Sequence, residues 1–557
     1  MFSTLARSGI FALWLVTLVV VPARADTLYV ANETTNTISV IDTTTNSITA
    51  TIGLGSDPAI PGTPQPNGPL NGEADHHKAF YNGHVDTHGL WLSPDGSLLL
   101  ATNRVSGTVA AIDTTTRTLL GYTPVGREPH LATVRPGGKE AWVAIRGESH
   151  IDVLKLDPSL LYAPGRRRTD RMPIVDTLDT VAGPSMVSFT SDGRFAFVAS
   201  GKQNRVDKFD ATNRTIVASQ TLPAAFTPFA LVTPDDRELY MVHKGAGTLS
   251  ILRTSDLSFV VQGMPIGARA NHVYFIGRFA YITVGGPAAT STNPDPEGKL
   301  VIVDRSTHAI VRELTGPQFN GEPHGVWASA DGRIYVGHER GNRVTVINMG
   351  NSYDAMDDVV LGTVSGAVDQ LGFLKKPIDL VTYPSWTDAK RPKITGIWPC
   401  YGTSGTVAFV FGEGFVAGAT QVSVGTVPAA LVQVFDPTLL GFMVPAGNPI
   451  GPLTVTTFEG SATSNTNFDI CGDGLYITGL WPASAKVGSF VYVFGTGYVA
   501  GDTLVAVNSV PAPLTQVIDR TLLIFMVPPG ATTGKVTVTL NGPAVSTISQ
   551  IDLVINP

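Results

Sequence analysis

Thr37-Ile38-Ser39-Val40-Ile41-Asp42 decides the fold, because it keeps returning along the chain. It comes back as Thr108-Val109-Ala110-Ala111-Ile112-Asp113 and as Arg205-Val206-Asp207-Lys208-Phe209-Asp210. Later copies are Thr248-Leu249-Ser250-Ile251-Leu252-Arg253, Leu300-Val301-Ile302-Val303-Asp304 and Val344-Thr345-Val346-Ile347-Asn348. Alternate side chains in such runs point to opposite faces, the period of a β-strand. Most copies follow a second element, a short strand closed by an Asp-Gly turn. Examples are Leu90-Trp91-Leu92-Ser93-Pro94-Asp95-Gly96, Ser191-Asp192-Gly193 and Ala330-Asp331-Gly332. Asp-Gly joins antiparallel neighbours at low cost, since glycine accepts a positive φ. Each repeat is therefore a four-stranded meander, strands A to D, of the length of a propeller blade.

Counting A strands gives the blade number. They start near Thr87, Pro129, Pro184, Pro228, Asn271, Pro323 and Pro377, which makes seven. The first repeat, Thr27 to Ile52, has B, C and D strands but no A strand, and the last, Pro377-Ile378-Asp379-Leu380-Val381-Thr382, is an A strand alone. Each supplies what the other lacks. The expectation is a ring closed by the last strand joining the first three, which removes open sheet edges.

The rest of the chain divides around this unit. Arg7, the apolar run Ile10 to Val21 and Ala23-Arg24-Ala25 read as an export signal over residues 1–25, cleaved before Asp26. No later segment is long and apolar enough for a span, so no membrane crossing is expected after cleavage. The expected location is periplasmic, cell-surface or secreted. The propeller takes residues 26–384, and the polar stretch 385–393 reads as a linker. Beyond it Ile394-Thr395-Gly396-Ile397-Trp398-Pro399 returns as Ile477-Thr478-Gly479-Leu480-Trp481-Pro482. Phe411-Gly412-Glu413-Gly414-Phe415 likewise returns as Phe494-Gly495-Thr496-Gly497-Tyr498, at the same offset of 83. Two homologous units follow, residues 394–473 and 474–557. Cys400 and Cys471 fall at the two ends of the first, placed for a disulfide that export permits. The net charge of -7 and the lack of a basic stripe argue against nucleic acid as a partner. The run Arg166-Arg167-Arg168 reads as a solvated loop.

Tyr29-Val30-Ala31-Asn32 with the Ile38 to Asp42 run resembles the YVTN family of β-propeller repeats. That resemblance implies a seven-bladed propeller of the superfamily that includes the N-terminal domain of nitrous oxide reductase. The tandem units resemble IPT/TIG domains, which implies immunoglobulin-like sandwiches serving as spacers or binding modules. The fold class expected is all-β: one propeller and two C-terminal sandwiches.

The chemistry-bearing residues are histidines. Of 11, four stand at one place, the start of strand A: His88, His130, His272 and His324. Ser185, Phe229 and Ile378 hold that place in the other blades. Strand A is innermost, so these side chains should meet at one mouth of the channel. His243 and His338 are assigned to B–C loops of that face, and His150 stands beside one. The long loop Gly53 to Val85 brings Asp75, His76, His77 and His84 toward it, and Asp86 follows. Only His308, in a C–D turn, belongs to the other face. Neutral imidazoles in such a ring suit copper or zinc, with the carboxylates as further or supporting ligands. The arrangement is similar to the copper face of nitrous oxide reductase, but three blades lack the histidine and no cupredoxin domain follows. Imidazoles that hydrogen-bond across the channel are the competing account.

Three functions stay open at this stage. One is a non-catalytic, exported binding or surface-display protein holding a protein or small-molecule ligand at the propeller face. One is a copper-type oxidoreductase. The third is a lactonase-like hydrolase. No nucleophile elbow, phosphate loop or H-E-x-x-H segment is present.

Overall fold

A computed structural model describes residues 26–54, 85–293, 296–330, 332–348, 359–365, 377–383, 385, 387, 390–399, 401–402, 404–447, 449–468, 474–542 and 545–556. The expected signal segment, the cysteines Cys400 and Cys471, and Asp75, His76, His77 and His84 lie outside these residues. No helix among the described residues is long and apolar enough to cross a membrane.

The propeller closes as the incomplete repeats require. Strand Pro377–Tyr383 pairs antiparallel with Thr27–Asn32, from Thr27 opposite Tyr383 to Ala31 opposite Asp379. The sheet continues through Thr37–Asp42 to Ser47–Gly53. Six further four-stranded sheets complete the ring, each in sequence order from inside to outside. Closure is sealed by packing as well as by hydrogen bonds. Leu28, Val30 and Leu380 form one buried cluster with Tyr335, Val344 and Val346 of the preceding blade.

Local chemistry explains the recurring signals. The aspartate that ends the C strand in four blades caps the next turn: Asp42 Oδ1 accepts from the Thr44 and Thr45 amides, and Asp210 Oδ1 from those of Thr212 and Asn213. Gly96 has φ 70°, and a Cβ there would lie 2.4 Å from the Tyr383 ring, so this A–B turn admits only glycine. The third blade carries an insertion between its C and D strands, where the arginine run lies. Arg167 is largely exposed and pairs with Asp170 at 2.8 Å.

Two β-sandwiches follow. In the first, strands Lys393–Trp398, Val407–Glu413, Leu439–Met443 and Val432–Asp436 face a second sheet across a core including Val410, Leu440, Phe442, Val422, Val455 and Phe468. The second repeats the plan and adds Ser484–Lys486, paired parallel to the last strand. The first sandwich docks on the propeller. Arg305 donates to the carbonyls of Gly277 (2.7 Å) and Phe458 (2.9 Å), and Glu459 accepts the Gly277 amide.

Candidate functional sites at the two mouths of the channel

The four A-strand histidines do converge. His88, His130, His272 and His324 are each only 5–6% exposed. Ring centroids stand 4.7 Å apart for His88–His130, 6.1 Å for His88–His324 and 4.8 Å for His272–His324. Phe229, at the equivalent place in its own blade, stacks on His272 at 4.1 Å. In the closing blade Ile378 stands at the strand position of His88, His130 and His324, and the next residue, Asp379, lines the ring from the strand position that His272 takes in its own blade. The pairing skips from Ala31–Asp379 to Asn32–Pro377, the same bulge that follows Thr87, Pro129, Pro184, Ala270 and Pro323 in the other A strands. Asp379 Oδ2 accepts the Leu90 amide, and its other oxygen lies 3.6 Å from His272 Nδ1. Full burial pushes the Asp379 carboxyl up to about 7.

Burial also keeps the imidazoles neutral. His88 is held down to about 3 by desolvation, with Arg104 adding to the effect. Burial likewise places His130, His272 and His324 well below the ordinary histidine range. The rings leave a cavity of about 10 Å³ among them, lined also by Leu131, Phe229 and Asp379. That is room for one water-sized occupant at most.

A collar of charges closes this mouth, and sequence reasoning missed it. The residue after each B strand projects here: Glu33, Arg104, Arg146, Lys244 and Glu339 in five blades. In the last four its amide bonds to the carbonyl of a residue just before strand A that is in left-handed conformation. Arg104 bonds in this way to Asp86 (φ 59°), Arg146 to Glu128 (φ 51°) and Glu339 to Glu322 (φ 61°). Arg104 then bridges Glu33 at 2.9 Å and Asp86 at 3.0 Å, Glu33 reaches His88 Nδ1 at 3.3 Å, and Lys244 meets Glu322 at 3.2 Å. Asp86, expected as an accessory ligand, is thus an ion-pair partner within the collar. A polar recess of about 440 Å³ opens outside it, between Arg104, Arg127, Arg146 and Lys202.

His243 and His338, expected as accessory residues in loops, lie within the sheets instead. Each ends a B strand, fully buried, with both ring nitrogens engaged. His243 meets Thr227 Oγ1 at 2.7 Å and Ser250 Oγ at 2.8 Å. His338 meets the Asn320 carbonyl at 2.9 Å and Thr345 Oγ1 at 2.8 Å. In the first two blades Asn32 and Asn103 hold this place and bond to the same C strand, to Thr37 and Ser39 and to Thr108. The histidines replace an asparagine clasp. His150 lies 3.5 Å from both Glu148 and Asp152, and His308 bonds to Glu238 at 2.9 Å. Among the described residues, no three His, Cys, Asp or Glu groups are placed to hold one metal ion.

The larger opening is at the other mouth. A cavity of about 470 Å³ is lined by Trp91, Leu231, Tyr274, Trp327, Tyr383 and Arg391, among others. Trp91 and Trp327 meet edge to face at 5.7 Å, and Tyr274 lies 4.6 Å from Trp327. The signal was in the sequence. His88-Gly89-Leu90-Trp91 and His324-Gly325-Val326-Trp327 run from a histidine at one mouth to an indole at the other.

No family model matches the chain, and no curated protein matches it. Solved structures do. Hydrazine synthase of Kuenenia stuttgartiensis is 16% identical, with a TM-score of 0.45 over 54% of this chain and 93% of that one. A candidate 6-phosphogluconolactonase of Bacteroides fragilis is 14% identical, TM-score 0.45, over 65% and 99%. A protein of Lactobacillus plantarum is 12% identical, TM-score 0.47, over 64% and 99%.

Proposed function

We propose that this chain is an exported, non-catalytic binding protein whose propeller takes a small molecule in the aromatic cavity, with the two sandwiches as IPT/TIG-type spacer units. The cavity carries the reading. Its volume of about 470 Å³ falls in the range of small-molecule pockets, and its walls combine six aromatic side chains with aliphatic and polar ones. The indoles of Trp91 and Trp327 offer faces for a flat ring. Arg391 and the hydroxyls of Ser93, Thr133 and Thr190 line it beside the carboxylate of Asp236 and suit a hydroxylated or anionic edge. The histidine mouth, sealed by ion pairs over neutral imidazoles, supports a structural plug better than a catalytic centre. The test uses anilinonaphthalene sulfonate, an aromatic anion, titrated into the purified protein. Saturable binding of one probe per chain, weakened at least tenfold in Trp91→Ala, supports the reading. Binding that is absent or indifferent to that change overturns it.

One observation favours a second reading, a bound copper or zinc ion. Nε2 of His88 lies 3.2 Å from Nε2 of His130. His130 Nδ1 must donate to the Ser185 carbonyl at 2.7 Å, since a carbonyl only accepts. Its Nε2 therefore presents a lone pair to His88. The single proton of a neutral His88 can serve Glu33 or His130, not both. A metal ion shared by the two nitrogens removes the conflict, and about 3.3 Å is the edge of a tetrahedron with bonds of about 2.0 Å. Elemental analysis decides: near-stoichiometric copper or zinc, lost in His88→Ala, is expected on this reading. Metal-free protein that takes up neither ion leaves a structural ring.

A further inference from the structure

The two sandwiches meet through equivalent residues. The offset of 83 carries Gly396 onto Gly479 and Phe411 onto Phe494. The glycines lie back to back, so that a Cβ built on Gly479 would fall 2.1 Å from the Cα of Gly396. Phe411 stacks on Phe494 at 4.3 Å, with 18° between the planes. Contact between like positions is the signature of a two-fold interface, made here inside one chain. It uses the outer face of the sheet that contains Lys393–Trp398 and Val407–Glu413, since the alternate residues Ala408 and Val410 point into the core.

Only one end of each outer face is covered. The remainder exposes apolar side chains at the same positions in both units. Val407 and Phe490 are 51% and 48% exposed, Leu431 and Leu514 57% and 48%, Phe435 and Ile518 58% and 52%. Among them stand uncharged Gln433 and its counterpart Gln516. The ring edges of Phe435 and Phe409 lie over Gly441, 3.2 and 3.5 Å from where its Cβ would be.

We propose that this uncovered face docks a second copy of the chain, its exposed halves packing on their like as the covered halves already do. Three observations select that occupant. The face is continuous with an existing interface in which its own residues pair with their equivalents. It lacks charge, so it offers no handle for an acidic or basic partner. Its apolar content is repeated in both units, which is what a self-complementary contact needs, whereas isolated exposed apolar residues need no explanation.

Sedimentation analysis of the full exported chain tests this, comparing wild type with Phe435→Glu/Ile518→Glu. The wild type should show the mass of two chains at micromolar concentration. The variant should show one, its dissociation constant raised at least tenfold, with circular dichroism unchanged because both side chains are more than half exposed. A second pair guards against misfolding. Gln433→Lys/Gln516→Lys and Gln433→Glu/Gln516→Glu should each be monomeric alone and associate when mixed. A wild type that stays monomeric, or a dimer indifferent to these changes, overturns the proposal.

Discussion

Acid should unfold the propeller abruptly, and the slope can be worked from the buried imidazoles. Burial holds six of them below the ordinary histidine range: His88 and His338 at about 3, His243 at about 4, and His130, His272 and His324 well below it. In the unfolded chain each titrates near 6.5. Below that pH the unfolded state binds protons that the folded state refuses, so stability is present above about 6.5 and lost as pH falls. Asp379 works in the opposite sense. Its folded pKa of about 7 lies above the unfolded value, so the folded state keeps its proton through this range. The net uptake on unfolding at pH 5.5 is about four to five protons, a slope of about 6 kcal/mol per pH unit. Between pH 7.5 and 5.5 about 6 kcal/mol is lost, comparable to the whole stability of many domains. The assay is urea unfolding of chelator-treated protein across pH 5 to 8. The sandwiches are an internal reference, because every histidine precedes residue 339. His243→Asn/His338→Asn installs the residue found at the equivalent places Asn32 and Asn103, and should cut the slope by about 2.5 kcal/mol per pH unit. A net uptake below two protons, or a slope unmoved by that double change, would refute the picture of dry, neutral imidazoles.

Three further outcomes are expected. Leu380→Asp puts a charge into a fully buried site of the closing strand, so the propeller transition should collapse while the sandwich transition stays, as read by calorimetry. Asp379→Asn should gain stability more steeply than wild type as pH rises from 5 to 7, by about one proton's worth of slope, since the buried carboxyl that opposes the histidines is gone; parallel stability profiles would count against the raised carboxyl. The exported protein should begin at Asp26 and titrate no free thiols when denatured without reductant; an intact leader or two reactive thiols would contradict those readings of the sequence.

What the sequence made readable was whatever recurs with the blade. The closing strand could be seen because the first and last repeats are complementary halves of one sheet, a property of pattern alone. The convergence of His88, His130 and His324 followed from symmetry, since equal positions on innermost strands must face one axis, and His272 joins them from one residue further along its strand, opposite Thr283. The failures sit at positions that recur from blade to blade without a recurring residue type. Counting from Pro377 put Ile378 at the position of His88, as the register has it, but Asp379 beside it, which also lines the ring, was not singled out. His243 and His338 looked like loop ligands because the histidine total drew attention away from their register. Aligned on the B strand, they stand where Asn32 and Asn103 clasp the next strand. The charged collar was hidden for another reason. Glu33, Arg104, Arg146, Lys244 and Glu339 differ in sign from blade to blade, so no single residue type marks the position, whereas a backbone bond shared by the last four does. The cavity at Trp91 and Trp327 was open to the same symmetry argument that found the histidines, carried three residues further along strand A. Residues that line the two mouths therefore belong to one strand in each blade. Occupancy of the aromatic cavity and the packing of the histidine plug act on the same innermost strands, which is why the indole variants and the imidazole variants should be measured on the same protein.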